Sequence, residues 1–301
     1  MSIKSILAYS FQSFYLAGSF LLLFIFLPTF YNLSLGFTLS SIGLVILLSR
    51  FFDVFSDIFI GYITEKRLID GRSKKNQILL GLFIFIFSLV GLYIVQSTNI
   101  YLFIFYYNLA LISYSIAIIP YDSIVIDQKK ISKKRFQLAT VKEIFTISGV
   151  LAALAIPTII SNYLSLDLLN PEVIKISGSI MIFLAIIGAF IFYFFYEESI
   201  NFKSQSISLA QIISFLKNNK KISDFALITF FNLLANNFTA NLFIIFVSNY
   251  LGLKDYAGYL LILYFTITLI STPLWYFFGR KFSNMYLLQL GTIITLSLIH
   301  I

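Results

Sequence analysis

Long apolar runs separated by short polar segments make up most of the chain. Nine of these runs are long enough for a membrane-spanning helix of about 20 residues, and they fall at about 6–30, 39–63, 77–96, 100–126, 138–161, 173–196, 224–250, 257–279 and 285–301. Backbone polar groups in lipid must be hydrogen-bonded within the protein, so runs of this length predict α-helices. The pattern therefore predicts an all-α polytopic membrane protein with nine spans.

The longest polar stretch, residues 197–223, separates the first six runs from the last three. This spacing predicts a six-helix transmembrane bundle over residues 1–198, a cytoplasmic linker over residues 199–223, and a partial second bundle of three spans over residues 224–301. The ninth run reaches the last residue without a basic anchor or a polar tail. We therefore expect a chain that is truncated within its second bundle.

Basic residues mark one side of the membrane. All but three of the 21 lysines and arginines lie near the N-terminus, in every second loop or in the linker, and the exceptions are Arg50, Lys175 and Lys254. Loops rich in lysine and arginine stay in the cytoplasm, so the N-terminus and the linker are predicted to be cytoplasmic. Isoleucine, lysine and asparagine are abundant, which is typical of an AT-rich coding sequence and favours a bacterial origin. We therefore expect the protein in a bacterial inner membrane. The net charge of +8 belongs to these short loops, so we expect no nucleic-acid partner.

Three charged residues interrupt the second apolar run. Arg50, Asp53 and Asp57 are spaced i, i+3 and i+7, which places them on one face of a helix. Charged groups inside a span are costly and usually functional. One cation beside two ionised carboxylates leaves a net charge of minus one, which one proton or one sodium ion would neutralise. We therefore predict a cation-coupling site at Asp53 and Asp57, with Arg50 as the counter-charge and the Ser56 hydroxyl as a further ligand. An Arg–Asp pair that only joins helices is the alternative.

Two residue types that bind metals are almost missing from the chain. There is no cysteine, and the one histidine is His300, next to the last residue. Disulfides, thiolate metal sites and multi-histidine metal sites are therefore excluded. We expect no cofactor beyond the coupling ion.

Polar side chains occur at two further places within the spans. Amide and hydroxyl groups suit a solute that carries hydroxyls, because they both donate and accept hydrogen bonds. The residues predicted to line a substrate cavity are Gln12, Tyr114, Ser115, Asn232 and Asn236. Hydrogen bonding between helices is an equally good reading of the asparagines. At the cytoplasmic ends of spans four and five, we expect Asp122, Lys142 and Glu143 to form a structural ion pair.

The loop after span two carries a recognisable signature. Gly61 is followed by three residues, an acid and two basic residues, and then by Asp70-Gly71-Arg72 with further lysines. This resembles the loop 2–3 signature of the major facilitator superfamily. With the charges of span two upstream, it looks more specifically like the glycoside–pentoside–hexuronide:cation symporters, the melibiose-permease-like branch. Pro120-Tyr121-Asp122 in span four is also similar to that branch.

The resemblance implies a fold of two six-helix bundles around a midplane cavity. It implies a secondary transporter, not an enzyme, that couples a proton or sodium ion to the symport of a small hydrophilic solute, such as a sugar. Its partners would be that solute, the cation and membrane lipids, and we expect a monomer. The branch also has sugar-binding acids in spans one and four, but Ala17 and Ile118 stand at about the matching positions. Galactoside recognition is therefore not expected.

The same resemblance predicts a cytoplasmic gate in the loop between spans two and three. This gate would stabilise the outward-facing state, and the small residue at its start predicts close helix packing. An equally good explanation is that the basic residues of this loop only set the orientation of the protein in the membrane. The predicted gate residues are Gly61, Glu65, Arg67, Asp70, Gly71 and Arg72.

Two other functions fit parts of the sequence. A truncated relic of a symporter would not transport, because half of the second bundle is missing. An intramembrane prenyltransferase would use the DxxxD spacing of Asp53 and Asp57 to hold magnesium and a diphosphate. A second acidic motif should then appear later in the chain, but Asp224 and Asp255 are isolated, and Ser49 stands where an asparagine is expected.

Overall fold

The computed structural model describes residues 2–127, 132–198, 257–279 and 281–297, together with short pieces between residues 211 and 252. These residues form helices joined by short turns, and no strand occurs among them, which confirms the all-α prediction. The helices are α1 (Ile3–Leu21), α2 (Leu27–Leu33), α3 (Leu39–Ile69), α4 (Lys74–Leu89), α5 (Ile100–Asp127), α6 (Ser132–Leu164), α7 (Pro171–Phe195), α8 (Ala257–Gly279) and α9 (Asn284–Ser297).

Six helical segments within the described part of the chain are long and apolar enough to cross a membrane. They are Ile3–Leu33, Lys74–Val95, Ile100–Ile126, Phe136–Leu164, Pro171–Phe195 and Ile262–Gly279. The charged helix α3 is not among them, but its 31 residues are more than the ~20 that a span needs. Most of the predicted seventh span and most of the linker lie outside the described residues, so the predicted division into bundles stays a prediction.

Two π-helical turns interrupt the first and third spans. Leu22–Phe26 joins α1 to α2, and Val90–Val95 extends α4. In the first turn the N–H of Leu27 donates to the carbonyl oxygen of Leu22, and Pro28 follows directly. Proline has no N–H to offer the carbonyl four residues earlier, so Pro28 gives a physical reason for the changed bonding at this point.

Side-chain caps define where several spans begin. The Ser2 hydroxyl oxygen accepts a hydrogen bond from the N–H of Ser5 at the start of α1. Thr38 does the same for the N–H of Ser41 at the start of α3. Such caps satisfy N–H groups that have no partner inside the helix.

Helix α3 is longer than the predicted second span, and this changes the predicted gate loop. Glu65 and Arg67 lie in the last turns of the helix, and only residues 70–73 form a loop. Gly71 has a φ of 74° and ends the helix: its N–H donates to Leu68, and the N–H of Arg72 donates to Arg67. This is the pairing of a Schellman motif, in which glycine takes the left-handed position without strain.

The predicted close packing at Gly61 does not occur against any described residue. Within the described part of the chain, a Cβ atom at this position would have nothing within 4 Å. The buried face of α3 runs through Ser49, Ile60 and Thr64, and Gly61 is turned about 100° from Ile60 around the helix axis. The open space at Gly61 follows from that rotation.

Close packing occurs instead where α1 crosses α6. A Cβ atom on Gly149 would lie 1.8 Å from the carbonyl oxygen of Phe14, and one on Gly18 would lie 2.8 Å from the carbonyl oxygen of Gly149. Small residues at a crossing let membrane helices approach closely, and dispersion contacts then hold them together. One cluster of buried side chains extends from Ala8 to Tyr196 and joins α1 to α7.

Helix α8 packs against α6 at its C-terminal end. The rings of Phe136 and Tyr276 are stacked, with their centroids 5.6 Å apart. Gly279 faces the tip of the Phe136 ring, where an added Cβ atom would lie only 1.9 Å from Cζ.

Candidate functional site

The charged residues of α3 do not act as one group of three. Arg50 Nη1 donates to Asp53 Oδ2 at 3.1 Å, and the Asp53 side chain is only 16% exposed. Asp57 is exposed and does not join this pair. Across the described residues, no group of three or more acidic, histidine or cysteine side chains is placed to hold a metal ion. The structure therefore brings together two of the three charges that the sequence placed on one helix face.

An aromatic pair holds the Arg50 guanidinium from the other side. Its central carbon lies 3.9 Å from the ring centroid of Phe24 and 5.8 Å from that of Phe20. Phe24 belongs to the π-helical turn, so the unusual bonding there sets the ring beneath the cation. The Arg50 side chain is 36% exposed, and a cation–π contact at an exposed site contributes about 0.5–1 kcal/mol. The sequence signal that could have pointed to this contact is Pro28.

The second oxygen of the Asp53 carboxylate is available. Asp53 Oδ1 is buried, and no hydrogen-bond partner for it occurs in the described part of the chain. Ser115 on α5 is buried beside this carboxylate and interacts with its charge, but its hydroxyl does not meet the geometry of a hydrogen bond to Oδ1. The Ser56 hydroxyl donates to the backbone oxygen of Asp53 at 3.0 Å and not to its carboxylate. A proton or a sodium ion would therefore bind at Asp53 Oδ1, and not between the carboxylates of Asp53 and Asp57.

A cavity of about 350 Å³ opens between α3 and α5 beside Asp53. Its polar lining consists of Ser49, Asp53, Ser56 and Asn108, and its apolar lining of Phe52, Phe55, Phe59, Leu111 and Ile112. Ser49, Asp53 and Ser56 are spaced i, i+4 and i+7, so the helix turns this face toward α5. Sequence reasoning missed Ser49 and Asn108 because uncharged polar residues in a span give a weak signal.

The sequence matches the family described as MFS/sugar transport protein over residues 9–301. The chain belongs to this family. Comparison with curated proteins gave no match. Membership of the major facilitator superfamily indicates a multi-pass, sugar-transport-type transporter, and it favours a transporter over the prenyltransferase alternative.

The predicted substrate residues of this MFS protein do not meet in one place. Gln12 is fully buried on α1, and neither its amide nitrogen nor its amide oxygen has a partner among the described residues. Tyr114 stacks on Phe20 at 4.5 Å and does not line the cavity beside Asp53. The predicted residues Asn232 and Asn236 lie outside the described part of the chain.

The predicted ion pair between spans four and five is confirmed for two of its three members. Lys142 Nζ donates to the Asp122 carboxylate and lies 5.2 Å from the ring centroid of Tyr121. Glu143 is exposed. Tyr121 and Tyr9 stack at 4.3 Å, and each hydroxyl donates to the backbone oxygen of the other residue. These contacts tie α1, α5 and α6 together.

The contact next to the predicted gate centres on Glu198. Its carboxylate accepts hydrogen bonds from the Ser73 hydroxyl, from the N–H of Lys74 at 2.8 Å and from the N–H of Lys75 at 3.4 Å. A carboxylate at a helix N-terminus meets unpaired N–H groups and the positive end of the helix dipole. Asp70, Gly71 and Arg72 are exposed, so the described contact uses the start of α4 in place of these predicted gate residues.

Proposed function

We propose that this MFS protein is a cation-coupled symporter of a small hydrophilic solute, a sugar or a sugar-like compound, and that Asp53 binds the coupling ion. One observation carries the proposal: Asp53 lies midway along the 31-residue helix α3, with one carboxylate oxygen bound to Arg50 and the other buried beside a cavity without a hydrogen-bond partner among the described residues. An unpaired carboxylate oxygen in a buried position calls for an explanation, and a bound ion is one.

The charge of the pair explains how an ion would drive a conformational change. Arg50 and an ionised Asp53 are neutral together, so burying them costs less than burying either alone. A proton or sodium ion on Asp53 leaves the pair with a net positive charge, which the rings of Phe20 and Phe24 help to hold. A change of net charge inside the protein shifts the balance between inward-facing and outward-facing arrangements.

The remaining roles follow from this assignment. Asp57 is exposed, so we assign it a supporting role in the path of the ion, not an equal share of the site. We place the protein in the melibiose-permease-like branch, because the span-two charges and the Gly61-to-Arg72 segment resemble that branch. We also propose that it acts as a monomer in a bacterial inner membrane, with its N-terminus in the cytoplasm.

Uptake into proteoliposomes tests the function directly. Purified protein is reconstituted, and a sodium gradient or a pH gradient is imposed in separate experiments against a panel of radiolabelled hexoses, pentoses and hexuronates. We expect one class of sugar to accumulate above its external concentration under one of the two gradients. Failure of every sugar to accumulate under both gradients would reject the proposal.

A further inference from the structure

The cavity between α3 and α5 contains two polar atoms that lack a partner. Ser49 is only 3% exposed, and its hydroxyl oxygen has no hydrogen-bond partner among the residues that the structure describes. Asp53 Oδ1 is also buried without a hydrogen-bond partner among these residues, and both side chains line the cavity. Ten buried side-chain polar atoms of the described residues lack a partner, and those of Ser49 and Asp53 are the two whose side chains line this cavity. Their shared position, and not the lack of a partner alone, points to a site for a ligand.

The size and walls of the cavity define the ligand further. Its volume of about 350 Å³ is many times what one water molecule needs, so the space is too large for a bare ion. It falls at the lower end of the range of about 300–1,000 Å³ for small-molecule pockets. Phe52, Phe55, Phe59, Leu111 and Ile112 form its apolar sides. The three rings are 59–63% exposed, so the space is an open groove along α3 and not an enclosed pocket. A few polar groups among aromatic walls are typical of a site for a small organic solute.

Asn108 supplies the polar group on the opposite helix. Its amide nitrogen donates to the backbone oxygen of Ile104 at 2.8 Å, which holds the side chain against its own helix. An asparagine oxygen accepts up to two hydrogen bonds, so Asn108 adds an acceptor across the cavity from Ser49 and Asp53.

We propose that this cavity binds the transported solute, a small polyhydroxy compound, through Ser49, Asp53 Oδ1 and Asn108. With the proton or sodium ion on Asp53 Oδ1, one solute hydroxyl oxygen accepts from that proton or joins the ligands of that ion. Other hydroxyls bond to Ser49 and Asn108, and an apolar face of the solute packs on the phenylalanine rings. The inference rests on the proposed function and deepens it, because the solute and the coupling ion then meet at one carboxylate. Binding of one changes the free energy of binding of the other without a long-range path.

The absence of cysteine from the natural chain allows a direct test. Ser49→Cys and Asn108→Cys are reconstituted separately and treated with a cationic, water-soluble methanethiosulfonate. Thr98→Cys, in the exposed loop before α5, is the accessible control. Ser88→Cys is the buried control, because Ser88 is 0% exposed and bonded to the Phe85 carbonyl oxygen.

We expect both cavity cysteines to react, and a sugar that the unmodified protein transports to slow both reactions severalfold. Thr98→Cys should react at the same rate with or without that sugar. The inference is overturned if neither cavity cysteine reacts while Thr98→Cys does, since the cavity is then filled by lipid. It is also overturned if a transported sugar protects neither position. If no sugar is transported at all, the proposed function itself has failed.

A kinetic measurement separates ligand binding from a structural role. Loss of one neutral hydrogen bond weakens binding roughly threefold to tenfold, so Asn108→Ala should raise KM for the transported sugar by that factor and leave the maximal rate within about twofold. Asn162→Ala, an exposed position at the end of α6, should change neither value. An unchanged KM in Asn108→Ala would contradict the assignment.

Discussion

Gly149 lies at the closest approach of α6 to α1, where there is no room for a methyl group. The atom that an added Cβ would meet is the Phe14 carbonyl oxygen at 1.8 Å. This obstacle is a backbone atom, so no side-chain rotation relieves the clash. Gly149→Ala must therefore push the two helices apart along a crossing that the buried core depends on.

The size of the effect follows from two opposing terms. Alanine is favoured over glycine in a helix by about 0.8–1 kcal/mol, whereas overpacking a well-packed core costs about 1–3 kcal/mol. The contact with the backbone at 1.8 Å places Gly149→Ala at the upper end of that cost. We expect a net loss of about 2 kcal/mol in the free energy of unfolding.

Gly61 provides a matched control on α3. An added Cβ there has nothing within 4 Å among the residues that the structure describes, so Gly61→Ala keeps the helix-propensity gain and clashes with none of them. Thermal unfolding of both variants in one detergent, followed by far-ultraviolet circular dichroism, compares them. Gly149→Ala should unfold several degrees below the unmodified protein, and Gly61→Ala at or above it. Equal midpoints for the two variants would refute the packing argument.

Three further predictions concern named contacts. Phe24→Leu removes the ring beneath Arg50 and should reduce gradient-driven uptake severalfold. Phe24→Tyr keeps an aromatic face and should retain most of the uptake. Equal loss of uptake in both variants would contradict the cation–π role. Glu198→Gln should lower the unfolding midpoint by weakening the contact with α4, whereas the same change at the exposed Glu197 should not. Gly279→Leu clashes with the Phe136 ring and should separate α8 from α6, so a cysteine placed at Tyr276 should become more reactive. Unchanged reactivity would mean that α6 and α8 do not pack there.

The order of the spans could be predicted from the sequence because each helix that crosses the bilayer core needs about 20 consecutive, mostly apolar residues. The described helices α1 to α8 fall on the predicted runs. The end of α3 was missed because residues 64–69 are polar enough to read as a loop, although the Schellman motif at Gly71 extends the helix to Ile69.

The site could be predicted only in part, because spacing along a helix does not show which side faces a neighbour. The charges at 50, 53 and 57 share a face in principle, but α3 turns Ser49, Asp53 and Ser56 toward the cavity and leaves Asp57 exposed. The contact between Arg50 and Phe24 joins two spans through a π-helical turn. Such tertiary contacts leave no periodic pattern in the sequence.

Gradient-driven uptake by Asp53→Asn measures the central claim most directly. The change keeps the shape of the side chain and removes its negative charge, so Asp53 can no longer bind a proton or sodium ion as a carboxylate. Asp167→Asn, in the exposed turn after α6, is the matched control, and Asp57→Asn should show a weaker loss. With insertion into the membrane unchanged, we predict that Asp53→Asn accumulates no sugar above its external concentration. Accumulation by Asp53→Asn at the level of the unmodified protein would contradict the account.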